Sequence, residues 1–142
     1  MIPGVDFPAV TVVFFCHDGE GHYLLNKRSV NCRDEHGRWD FGGGSLQLHE
    51  TIEELLRREL REEYNLSPLE HEFLGFREMH REHQGQKTHW LALDYKVRVD
   101  RTQVKNMEPH KFDDLAWFRV DALPAPLHSQ IGVAVESYQN RL

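Results

Sequence analysis

The sequence predicts an α/β protein: a mixed sheet flanked by helices in an α/β/α sandwich. Three observations carry this. Two runs rich in β-branched and aromatic residues precede a strongly amphipathic helical stretch, two long alternating runs follow it, and a second helical stretch closes the chain. No internal repeat, low-complexity tract or linker interrupts that order, so residues 1–142 are read as one domain.

Ala9 to Cys16 (Ala-Val-Thr-Val-Val-Phe-Phe-Cys) has almost no polar alternates and reads as a strand covered on both faces. Asp18-Gly19-Glu20-Gly21 has turn chemistry, and Tyr23 to Lys27 returns as the second strand of a hairpin, with Arg28 at its end. Asn31 to Arg38 is too hydrophilic for a core and is expected as a loop. Trp39-Asp40-Phe41 then enters a glycine-rich turn, Gly42-Gly43-Gly44, and Trp39 is expected to pack in the core rather than stack on a ligand.

Thr51 followed by Glu54 is a capping box, which starts a helix near Thr51. The helix should end near Tyr64, because Asn65 tolerates the left-handed position and Ser67-Pro68 blocks continuation. Leu69 to Arg81 and Lys87 to Val99 read as two long strands joined by turn residues at His83-Gln84-Gly85-Gln86. In the second strand His89, Leu91, Leu93, Tyr95, Val97 and Val99 share one parity, with Trp90 and Ala92 on the other. Asp100 to Met107 is expected as a polar loop, Leu115 to Arg119 as a short strand and Val120 to Pro124 as a closing turn. Pro124 and Pro126 delimit a last helix, His128 to Asn140, with Ile131, Val135 and Tyr138 toward the core.

The chemistry concentrates on the first helix. At about 100° per residue, Ile52, Leu55, Leu56 and Leu60 form its apolar stripe, yet Glu59 and Glu63 fall on that same stripe, with Glu62 at its flank. Carboxylates aimed at an interior are costly unless a cation neutralises them, so the three describe a hard-metal site. The competing description is a solvated helix laced with pairs to Arg57, Arg58 and Arg61.

Composition narrows the alternatives. Seventeen Lys and Arg against 23 Asp and Glu leave a net charge of −6, which argues against general nucleic-acid binding but not against a small anionic substrate held through a metal. Only two cysteines are present; Cys16 is expected as a buried thiol, and nothing suggests a disulfide framework. No apolar run has membrane-spanning length and no basic-then-apolar leader opens the chain, which gives a cytoplasmic expectation with no membrane partner. The ten histidines lack zinc-site spacing, and there is no nucleophile elbow.

The run Gly44-x5-Glu50-x7-Arg58-Glu59-Leu60-Arg61-Glu62-Glu63-Tyr64-Asn65-Leu66 resembles the Nudix box of the Nudix hydrolases. That signature reads Gly, five residues, Glu, seven residues, Arg-Glu-aliphatic-x-Glu-Glu-x-Gly-aliphatic, and Asn65 stands where the family has glycine. Trp39-Asp40-Phe41-Gly42-Gly43 resembles the family's Trp-x-x-Pro-Gly-Gly entry, with Gly42 in place of proline. Glu108-Pro109-His110-Lys111, with Trp117 beyond, is similar to a segment of a subgroup that clears nucleoside triphosphates.

The resemblance implies a Nudix-type sandwich and divalent-metal-dependent hydrolysis, with Mg²⁺ or Mn²⁺, of a nucleoside diphosphate-linked small molecule. A nucleoside triphosphate giving monophosphate and pyrophosphate is expected first. A nucleotide sugar or another nucleoside-diphosphate derivative is the alternative, and a nucleotide-binding domain without activity stands against both. The implied metal ligands are Glu59, Glu62, Glu63 and the Gly43 carbonyl, with Glu108 either a further ligand or only a loop cap. One of Glu59, Glu62 and Glu63, or a loop carboxylate, is implied in taking the proton of water, Arg58 in orienting Glu59 or Glu50, and Glu50 in pinning the loop against the helix. Arg28 is implied near the substrate phosphates, against the reading of a solvated arginine. A homodimer is left open.

Overall fold

The computed structural model describes all of residues 1–142, and local signals bound its first helix at both ends. Thr51 caps helix α1 (Ile52–Tyr64): its hydroxyl accepts from the Glu54 N–H at 3.1 Å, and the Glu54 carboxylate accepts the Thr51 N–H at 3.4 Å. The helix stops where Asn65 adopts φ 59°, ψ 32°, and the Leu66 N–H then reaches back to the Leu60 carbonyl at 3.2 Å.

Seven strands form one mixed sheet: β1 (Ala9–His17), β2 (His22–Arg28), β3 (Trp39–Asp40), β4 (Gly42–Ser45), β5 (Glu70–His83), β6 (Gln86–Arg98) and β7 (Phe112–Arg119). The path runs β3-β2-β1-β6-β5, with β4 added to β1 and β7 to β2. β1 lies parallel to β6 from Ala9↔Trp90 to His17↔Arg98, and the remaining pairs are antiparallel. β5 and β6 are joined by Gln84 and Gly85, both at positive φ (51° and 78°), as a tight hairpin twist requires.

The feature that positions the site is a split in this sheet. β1 and β2 share the single register pair His17↔Tyr23 and then diverge. Beyond it β4 occupies the edge of β1, while β3 meets β2 at Asn26↔Asp40 and Lys27↔Trp39. β7 covers the other edge of β2 along its whole length.

Alternation along β1 feeds two cores, as expected for a strand covered on both faces. Val12, Phe14 and Cys16 pack with Leu55, Leu56, Leu60 and Tyr64 of α1. Phe15 packs on the opposite face with Tyr23, Leu25, Phe41 and, from helix α2 (Ile131–Tyr138), Ile131, Ala134 and Tyr138. Trp39 joins this second core, edge-on to Phe118 at 5.2 Å. No helix is long and apolar enough to cross a membrane.

Four readings need correction. Gly42–Ser45 is not a turn but strand β4, in register with Thr11 to Phe14. Polyglycine is a poor strand former by propensity, and close approach selects it here. A Cβ on Gly44 would overlap the Glu59 carboxyl group, and one on Gly42 would overlap the Phe14 ring. Within the loop Asp100 to Met107, Arg101–Gln103 forms a 3-10 turn because the Asp100 carboxylate accepts the Thr102 N–H at 3.0 Å. β7 starts at Phe112, three residues before the hydrophobic pattern announces it, since Arg28↔Phe112 is already paired across exposed Asp113 and Asp114. Finally, α2 is shorter than His128 to Asn140: His128 Nδ1 accepts the Gln130 N–H at 3.1 Å, and the helix begins only at Ile131.

Candidate active site

The divergence of β1 and β2 opens a cavity of about 620 Å³. Helical periodicity carries Glu59 and Glu63 to its α1 wall, and the missing side chain of Gly44 lets the Glu59 carboxyl group in. Glu62, the Gly42–Gly44 backbone of β4, Glu108 and Arg28 line the same space. All six residues given a metal or phosphate role in the sequence reading (Arg28, Gly43, Glu59, Glu62, Glu63 and Glu108) therefore meet in one cavity.

Glu50 and Arg58 stand behind that wall. Arg58 donates from Nε to Glu50 Oε2 at 2.7 Å, from Nη2 to Glu50 Oε1 at 2.9 Å and from Nη1 to Glu59 Oε1 at 2.6 Å. Glu50 also accepts the Gln47 N–H at 3.2 Å, so the pair ties the β4–α1 connection to the helix. The Arg58 hydrogen bonds hold the Glu50 carboxyl below its usual range, and in return raise the guanidinium pKa.

The carboxylates of the wall differ in how they are neutralised. Burial raises the Glu59 pKa, while the Arg58 bond opposes it. Glu108 is paired with Lys111 at 3.1 Å. Glu62 is half exposed, with Arg58 3.6 Å away. Glu63 is only 6% exposed and has no cation of its own. Its burial, reinforced by the charges of Glu59 and Glu108, pushes its carboxyl well above the ordinary range. No three of these side chains converge tightly enough to form a finished ligand cluster, because Glu59 is drawn to Arg58 and Glu108 to Lys111.

The donor set nevertheless fits a hard divalent cation. It consists of oxygens, and two features of the wall call for positive charge or a further donor. One is buried Glu63 without a cationic partner. The other is Asn26, whose Nδ2 donates to the Tyr64 hydroxyl at 2.8 Å while its buried Oδ1 receives no donor. A cation, or water held by one, supplies the missing positive charge and hydrogen-bond donors.

Arg28 is not solvated: its side chain is 19% exposed, Nε and Nη2 donate to the Asp34 carbonyl and Oδ1 at 3.1 Å each, and Asp40 lies 3.6 Å away. Asp40 is 16% exposed, and its desolvation raises its pKa to about 7 against the pull of Arg28.

Asn26, Asp40 and Arg77 line the cavity but were given no role from sequence. A signal existed for the first two. Asn26 follows Leu24 on the core-facing parity of β2, where packing alone calls for an apolar residue, and Asp40 is its cross-strand partner.

Comparison with known proteins gives the family and the fold. A NUDIX domain model matches residues 7–137. The RNA pyrophosphohydrolase of Cellvibrio japonicus is 32% identical over 125 residues, which are 78% of this chain and 70% of that protein. The nucleoside triphosphatase NudI of Klebsiella pneumoniae is 45% identical over 53 residues; the match spans 37% of this chain and only 38% of that relative. Among solved structures, a MutT NUDIX hydrolase from Burkholderia pseudomallei superposes with a TM-score of 0.81 at 27% identity, covering 93% of this chain and 98% of that one. The NUDIX domain of Shewanella oneidensis NrtR shares the fold, with a TM-score of 0.70 at 22% identity over 94% of this chain and 86% of that one. With the domain model covering nearly the whole sequence and a relative alike over most of its length, the chain belongs to the Nudix family.

Proposed function

We propose that this protein is a divalent-metal-dependent pyrophosphohydrolase that cleaves a nucleoside diphosphate linkage, with a nucleoside triphosphate as first substrate and a monophosphate and pyrophosphate as products. The observation that carries this reading is Glu63, buried without a cationic partner in a cavity wall with Glu59, Glu62 and Glu108. That arrangement is costly unless a cation offsets it, and a cation held there is what hydrolysis of a diphosphate linkage requires. The names of the relatives, a nucleoside triphosphatase and an RNA pyrophosphohydrolase, point the same way.

Glu59, Glu62, Glu63, the Gly43 carbonyl and Glu108 would hold Mg²⁺ or Mn²⁺. When bound, such ions acidify water and offset charge on the bridging and leaving oxygens. The chain's own residues do the rest. Arg58 fixes Glu59 through Nη1 and is itself fixed by Glu50, so the Glu59 carboxylate is held in one position before substrate arrives. Glu62, half exposed and with its nearest arginine nitrogen at 3.6 Å, is the carboxylate most available to take the proton of the attacking water. Arg28, which lines the cavity from the end of β2, would meet the phosphates of the substrate.

A product-resolved panel of triphosphates, nucleotide sugars and dinucleotides with Mg²⁺ and Mn²⁺ tests the proposal. Metal-dependent release of a nucleoside monophosphate is expected. Metal bound by calorimetry without turnover of any member would instead support a binding domain.

A further inference from the structure

Across the sheet from the carboxylates the cavity is walled by a second polar assembly. Arg77 of β5 donates from Nε to Asp94 Oδ2 at 2.7 Å and from Nη2 to Asp94 Oδ1 at 2.8 Å, while Nη1 donates to the Gln130 carbonyl at 3.1 Å. Asp94 of β6 is 0% exposed, and the Tyr138 hydroxyl of α2 donates to its Oδ2 at 2.7 Å. The backbone accommodates this contact: β5 carries a bulge at Gly75, where a Cβ would stand 3.0 Å from the Tyr138 hydroxyl oxygen.

The assembly is closed at one end and open at the other. Both Asp94 oxygens are engaged inside the fold. Arg77 has five N–H donors, of which the fold uses three, and its guanidinium borders the cavity. As a clamp between sheet and helix, well-packed apolar residues would serve as well as this buried ion pair. A rigidly held arginine with two donors left at a cavity wall is instead a preorganised recognition group.

Its position says which part of a substrate it meets. Tyr138 belongs to the core on the α2 face, whereas Glu59 and Glu63 project from α1 on the other face. A diphosphate lying among the carboxylates therefore leaves Arg77 to the group carried beyond it. Met79, two residues along the same strand and also at the cavity, offers an apolar surface for a planar ring. The one N–H left on each of Nη1 and Nη2 suits two adjacent acceptors, the arrangement of O6 and N7 in a 6-oxopurine; adenine presents a donor in place of O6.

We infer that Arg77, held by Asp94 and Tyr138, is a specificity-determining residue that favours a 6-oxopurine over adenine in the nucleotide substrate. The inference rests on the proposed placement of the diphosphate among the α1 carboxylates. Arg77 contacts the base, and Asp94 and Tyr138 are positioning residues.

The test compares kcat/KM for GTP, ITP and ATP in the wild type, Arg77→Lys and Tyr138→Phe, with Mg²⁺ affinity and melting temperature measured alongside. ITP keeps O6 and N7 but lacks the 2-amino group, so it separates this edge from recognition of that amine. The wild type should favour GTP and ITP alike over ATP by roughly tenfold or more. Arg77→Lys should abolish the preference, and Tyr138→Phe should reduce it, both at unchanged Mg²⁺ affinity. A wild type indifferent to the base, a preference for GTP not shared by ITP, or a preference that survives Arg77→Lys would overturn the inference. If Arg77→Lys fails to fold, an undiminished preference in Tyr138→Phe overturns it. If no nucleotide is turned over, the proposed function fails separately, and calorimetric titration with GTP and ATP in EDTA decides this point. Tighter GTP binding that weakens in Tyr138→Phe upholds the inference, and equal affinities reject it.

Discussion

Arg58 grips Glu50 with two arms of one guanidinium, Nε to Oε2 at 2.7 Å and Nη2 to Oε1 at 2.9 Å, and turns Nη1 onto Glu59 at 2.6 Å. A single planar group thereby sets the position of the Glu59 carboxylate relative to the loop before the helix. Lysine keeps the charge but not the fork, so Arg58→Lys is expected to lower turnover or metal affinity by roughly 10–100-fold. Full activity at undiminished metal affinity would show that the fork is dispensable.

Glu63 carries the largest electrostatic strain of the wall. Its folded-state pKa lies above the unfolded one, so its favourable contribution is fully present at low pH and is lost as pH rises through the folded value. At pH 8 without divalent metal, Glu63→Gln should therefore melt at a higher temperature than the wild type. With saturating Mg²⁺ the order should reverse, because the variant binds the ion more weakly. A variant that melts lower in the metal-free state at pH 8 would contradict this.

Asn65 occupies the family's glycine position at φ 59°, ψ 32°, and its Nδ2 donates to the Gln103 carbonyl at 3.2 Å across an exposed surface. Glycine takes that conformation freely and loses only this one bond. Asn65→Gly is thus expected to stay within about 1 kcal/mol of the wild type, whereas Asn65→Val should lose roughly 1–2 kcal/mol through its β-branch. Denaturant midpoints measure both. A large loss of turnover in Asn65→Gly at unchanged stability would assign the side chain a role beyond capping.

His128 lines the cavity beside Glu35, whose Oε1 is 3.8 Å from Nδ1, and burial lowers its pKa from 6.5 to about 4 despite that carboxylate. A histidine kept neutral in the fold costs stability as pH falls from the unfolded value through the folded one. Between pH 7 and 4.5 His128→Gln should lose less stability than the wild type, by about 2 kcal/mol. Equal losses in urea titrations at the two pH values would show that His128 protonates freely.

Much of the fold was legible because its signals are local. Thr51, Glu54 and Asn65 bound α1 within the reach of their own hydrogen bonds, and a period of 3.6 places Glu59 and Glu63 on the face of Leu56 and Leu60. Strand β4 was not legible: Gly42 and Gly44 are selected by what approaches them, namely Phe14 and Glu59, not by any preference of glycine for strands. Arg77, Asp94 and Tyr138 come together only after β5, β6 and α2 have packed, across separations of 17 and 44 residues. Asn26 lay between these cases, its polarity at a core-facing strand position being visible while its partner, Tyr64, was not.

The central claim is that water cleaves a diphosphate linkage at the carboxylate wall, and ³¹P NMR of turnover in ¹⁸O-enriched water tests it most directly. With Mg²⁺ or Mn²⁺ and a nucleoside triphosphate, the account predicts monophosphate and pyrophosphate as the products, one of them carrying a single ¹⁸O at the phosphorus attacked. Release of orthophosphate and a nucleoside diphosphate, or no reaction by protein shown to hold the metal, would contradict it.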